Sequence, residues 1–128
     1  MEYQFGPRRP DNIMDALERL NKLIRSGEII LLDARNLEFC HCESIWEASI
    51  HEKESEALSD KWNREVLNFL DDEFGITSAI CSNFRVQIRA CYTLEDEIEN
   101  IESCLAILHC ERRRLRSQKS IAVHTDNT

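Results

Sequence analysis

Apolar and polar positions along this chain alternate with two different periods. After Asp11 and Asn12, both good N-cap residues, Ile13, Leu17, Leu20 and Ile24 recur at helical spacing and Gly27 follows as a natural stop, predicting a helix over 12–26. The next stretch, EIILLDARNLEFCHC, has an apolar run at 29–32, a turn-like DARN, and an alternation of Leu37, Phe39 and His41 against Glu38, Cys40 and Cys42. It reads as a hairpin, with helix the competing reading because Leu, Glu and Ala are not strand formers.

Ser44 to Phe74 contains no Gly or Pro. Its first part carries only a weak apolar stripe and suggests an exposed or partly irregular helix. The second part is sharper: Ser59 or Asp60 can cap it, Trp62, Val66, Leu67, Leu70 and Phe74 form a buried stripe, and Gly75 ends it. ITSAICSNFRVQIRACY then predicts two strands, about 76–81 and 84–92, turning at Ser82-Asn83. On the second strand Phe84, Val86, Ile88, Ala90 and Tyr92 share one side, and Arg85, Gln87 and Arg89 the other. Thr93 caps the last helix, whose Leu94, Ile98, Ile101, Leu105 and Leu108 follow a heptad-like stripe that Leu115 continues.

The expected fold is therefore α+β, with helices packed on a small antiparallel sheet built from two hairpins and a long C-terminal helix. It would comprise an N-terminal arm (1–10), one α+β domain (11–117) and a disordered tail (118–128). The order helix, FG, hairpin, leucine-bearing helix resembles the end of the tombusvirus-type silencing suppressors over about 40 residues of pattern, without a matching motif. That resemblance implies a dimer whose sheet face holds short double-stranded RNA. The paired tryptophans of those proteins have no counterpart, since Trp46 and Trp62 lie sixteen residues apart.

Composition changes the picture in three ways. No apolar run approaches the ~18 residues of a membrane span, and MEYQFGPRRP has no apolar run after its arginines, so a cytoplasmic protein, or one acting in the cytoplasm or nucleus of a host cell, is expected. Its six cysteines then read as thiols or metal ligands, not as disulfides. The net charge of −8 is uneven: Arg112, Arg113, Arg114, Arg116 and Lys119 against Glu111 and Asp126 make residues 111–128 +3 and the remainder −11.

Candidate chemistry is sparse. Cys40, Cys42, His109 and Cys110 could supply a tetrahedral zinc site, although a C-x-C on a strand turns both thiols to one face, and buried thiols without any cofactor are the simpler reading. No signature surrounds a nucleophilic cysteine, three glycines provide no phosphate-cradling loop, and 24 acidic residues make any carboxylate pair uninformative. Catalysis is not expected.

Two binding readings stand instead. The first is a small acidic interaction module, an adaptor, chaperone-like or virulence factor, that joins a protein partner or a second copy of itself through the last helix and the sheet edge. Leu94, Ile98, Ile101, Leu105 and Leu108 would form that interface, unless they only cover the monomer core. The alternative is a nucleic-acid binder using Arg85, Gln87 and Arg89 on the sheet with Arg112, Arg113, Arg114 and Arg116 on the helix. Trp46 and Trp62 would then offer stacking surfaces.

Overall fold

The computed structural model of the protein describes residues 12–38, 45–88 and 93–126. These form four helices and, among the described residues, no strand: α1 (Ile13–Glu38), α2 (Ile45–Phe74), α3 (Ala79–Gln87) and α4 (Leu94–Asp126). The α+β expectation is thus corrected to an all-α, four-helix bundle-like arrangement. The segment expected as the first strand of a hairpin, 29–32, continues α1, while Phe39 to Cys42 lie outside the described residues. Where strands at 76–81 and 84–92 were expected, a short turn leads into α3; Arg89 to Tyr92 again lie outside, as does the arm 1–10.

The helix starts follow side-chain chemistry. Asn12 Oδ1 accepts the Asp15 amide at 3.2 Å, Ser78 Oγ the Cys81 amide at 3.3 Å, and Thr93 Oγ1 the Asp96 amide at 3.1 Å, each satisfying an N–H that the first turn leaves unpaired. Helix α2 stops where Gly75 adopts φ 90° and its N–H reaches Asp71 O at 3.1 Å, a backbone state costly for other residues. Two expected boundaries move. Gly27 does not end α1, and Ser59 caps nothing: it is buried within a continuous α2. Helix α4 is described as far as Asp126, within the segment 118–128 that the sequence reads as a tail.

Cross-helix bonds set the directions. Arg35 meets Glu102 at 2.7 Å, His109 Nε2 lies 3.3 Å from Glu28, and Arg112 donates to Asn21 at 3.2 Å, so α1 and α4 are antiparallel. Arg19 meets Glu73 at 2.8 Å and Trp62 Nε1 donates to Leu23 O at 2.8 Å, making α1 and α2 antiparallel too. Helices α2 and α4 therefore run the same way, α1 makes the broadest contacts, and α2 touches α4 least.

The core lies between α1 and α4 and is closed by α2 and α3. Leu20 and Ile24 meet Trp62, Val66, Phe69, Leu70 and Phe74, Cys81 and Phe84 cover one side, and Ile101, Leu105, Leu108 and Leu115 complete it. Trp62 sits edge-on to Phe84 with ring centroids 6.3 Å apart, which fastens α3 to the bundle. Burying each such side chain contributes about 1.5–3 kcal/mol, so this cluster is the principal source of stability.

Candidate functional site

The expected interface stripe lies inside the molecule. Ile98, Ile101, Leu105 and Leu108 are buried, Leu94 is half-buried, and the last three of the buried four belong to the core cluster. Within the single chain, Ile101, Leu105 and Leu108 thus pack in the core.

The arginine-bearing sheet face does not exist among the described residues. Arg85 stands on α3, its guanidinium on Asp71 at 3.1 Å and on Ile76 O at 3.3 Å, while Gln87 is half-buried at the end of that helix and Arg89 is outside the described residues. Among the described residues there is likewise no sheet of the kind on which the resemblance to the silencing suppressors depends.

The α4 arginines divide. Arg112 donates to Asn21 and to His109 Nδ1, and Arg114 pairs with Glu111 and lies over the Phe74 ring at 5.7 Å, so both help close the bundle. Arg113 and Arg116 are exposed. Because guanidinium only donates, His109 Nδ1 must accept, and the proton on Nε2 faces Glu28. Cys110 is exposed, Cys40 and Cys42 are outside the described residues, and among the described residues no three His, Cys, Asp or Glu side chains could hold a metal. Trp62 is core and Trp46 is 82% exposed at the start of α2.

What the fold brings together was not visible as a site in the sequence. The C-terminal half of α1, the N-terminal half of α2 and the first turns of α4 form one end of the bundle. Among the described residues, Asp33, then Glu47, Glu52, Glu54, Glu56 and Asp60, then Glu95, Asp96, Glu97, Glu99 and Glu102 gather there, with Arg35, Lys53 and Lys61 on the same stretches. The N-termini of α2 and α4 both point to this end, and their dipoles favour negative charge. The same half-helices hold Ile29, Leu32, Trp46, Ile50 and Leu58, five of the eight large apolar side chains exposed among the described residues.

Between α1 and α2 at this end opens a cleft of about 320 Å³. Ile30, Leu37 and Leu58 supply its apolar walls, and Asp33, His51 and Glu54 its polar ones. Ser55 also lines it, and its hydroxyl donates to Glu97 Oε1 of α4 at 3.0 Å. Glu97 is 4% exposed; burial, which the Ser55 hydrogen bond only partly offsets, raises its carboxyl above the ordinary glutamate range, as do the charges of Glu56, Asp60 and Glu52.

Beyond this bond the α2–α4 seam stays polar. Ser59, Asn63 and Asn100 are buried along it, and the Oδ1 atoms of Asn63 and Asn100 have no hydrogen-bond partner. A second open groove, of about 560 Å³, lies between α3 and α4, lined by Ala79, Ile80, Ala106 and Ile107 with Asn83, Cys110 and the Glu111–Arg114 pair. It lacks the charge concentration of the first.

Fold and surface together define the chain as a small helical bundle with one acidic, partly apolar end. No protein-family model matches the chain, and no curated protein and no solved structure matches it. Among the described residues no helix is long and apolar enough to cross a membrane.

Proposed function

We propose that the protein is a non-catalytic interaction module whose acidic end docks a basic amphipathic helical segment of a partner protein. The observation that carries this is the coincidence of eleven carboxylates and five exposed large apolar side chains on the same end of the bundle. Solvated charge alone accounts for the acids, but exposed apolar residues interspersed with charge at one end of a bundle suit a docking surface. A helix with apolar residues at i, i+3, i+4 and i+7 and lysines or arginines beside them complements both properties. This reading keeps the expected protein partner and moves its contact surface from α4 to the α1–α2 end. A polyanion is disfavoured there by charge.

The test is a titration of a labelled leucine–lysine amphipathic peptide against the protein and two charge-neutral variants, Leu58→Ser and Trp46→Ser. Micromolar binding that weakens with salt and falls about tenfold in both variants supports the site. Binding unaffected by them would reduce it to nonspecific charge attraction. Salt-sensitive self-association in sedimentation, with the basic end of α4 as the second copy's contribution, would overturn the foreign-segment reading.

A further inference from the structure

The α2–α4 seam is short of hydrogen-bond donors. Glu97 has a hydroxyl on one oxygen and, among the described residues, no cationic partner, while Asn63 and Asn100, 6% and 8% exposed, each leave a carbonyl oxygen unpaired. Buried acceptors without donors are expensive, and native interiors satisfy nearly all of them. Ser55 joins this seam to the α1–α2 cleft, because the side chain that lines the cleft is the one bonded to Glu97.

We propose that the cleft receives one lysine or arginine side chain of the docked segment and that Glu97, reached past Ser55, is the residue that selects it. This rests on the docking function proposed above and names its specificity determinant. The methylene stem of the incoming residue would lie along Ile30, Leu37 and Leu58, and its head would pass from the rim carboxylates Asp33 and Glu54 to Glu97. Such a head carries several N–H donors and can satisfy a carboxylate and a neighbouring amide oxygen together, with Asn100 one turn beyond Glu97 on α4. A counter-ion would also relieve the burial that raises the Glu97 carboxyl.

The experiment compares two amphipathic peptides that differ at one central position, lysine in one and norleucine in the other, by calorimetry at a salt concentration that screens surface charge. Wild type should favour the lysine peptide by about tenfold, as expected for a desolvated charge pair. Glu97→Gln, which keeps an acceptor for Ser55, should erase that preference and leave norleucine-peptide binding unchanged. Asn100→Leu should reduce it. If both peptides bind but the lysine preference is absent, or survives Glu97→Gln, the seam holds only water or the cation rests on the rim, and the inference is overturned with the docking site intact. If neither peptide binds wild type at low salt either, the docking reading itself fails, and the inference with it.

Discussion

Gly27 lies directly against the indole of Trp62. A Cβ placed on it would run into the ring and come within 2.9 Å of Leu105 Cδ2, so α1 passes Trp62 only because residue 27 has no side chain. Gly27→Ala therefore sets two effects in opposition. Helix propensity favours alanine by about 1 kcal/mol, and overpacking a full core costs about 1–3 kcal/mol. Packing should win, and urea unfolding should show net destabilisation. A stabilised variant would mean that Trp62 can move aside.

The same glycine explains much of what the sequence concealed. Leu20, Ile24, Gly27, Leu31 and Ala34 are one unbroken 4-3-4-3 row on α1, but Gly27 looks like a stop and Ala34 lies within an apparent turn, so the row seemed to end at Ile24. On α2 the buried row passes through Ser55 and Ser59 before Trp62 and Val66, and two serines disguise a core-facing line as a cap and a polar stretch. On α3, Cys81 and Phe84 face the core with Ile80 and Ile88 half-buried, a helical set within letters that also alternate; so short a window supports either period. The helices with large residues on every buried turn, α4 and the second half of α2, were legible. The acidic end was not, because it is assembled from three separate segments.

Glu97 should make stability depend on pH with a definite sign. Its folded carboxyl titrates above the unfolded value, so its contribution is fully present below the unfolded value and is lost as pH rises through the folded one. Glu97→Gln lacks that loss and should gain on wild type as pH rises from the acid side through the glutamate range, levelling off once the folded carboxyl has ionised. Denaturant midpoints of both proteins across that range give the difference directly. A difference with the opposite slope would show that the seam stabilises the carboxylate.

Thiol reactivity should separate three cysteines by burial. Cys81 is fully buried and bonded to Asp71 at 3.2 Å, and burial raises its thiol above the usual range, which lowers the reactive thiolate fraction. Cys104 is buried in the core cluster and Cys110 is exposed. Brief treatment with iodoacetamide followed by peptide mass mapping should modify Cys110 first and leave Cys81 and Cys104 until denaturant is added. Early modification of Cys81 would mean that α3 detaches readily from Phe74 and Trp62.

A charged residue on the α4 stripe distinguishes a core from a surface more sharply than any deletion. Leu108 has no exposed area and packs in the central cluster. Were the stripe an intermolecular seam, Leu108→Asp would give a folded monomer. As part of the monomer core, an aspartate there must bury an unpaired charge and lose the leucine's packing, the truncation alone costing about 2–5 kcal/mol. Against the ~5–15 kcal/mol that holds a domain of this size, that is enough to unfold a marginal bundle. Circular dichroism should show lost helicity with Leu108→Asp and retained helicity with Leu58→Asp, on the exposed side of α2. Full helicity in the Leu108 variant would put the stripe back at an interface.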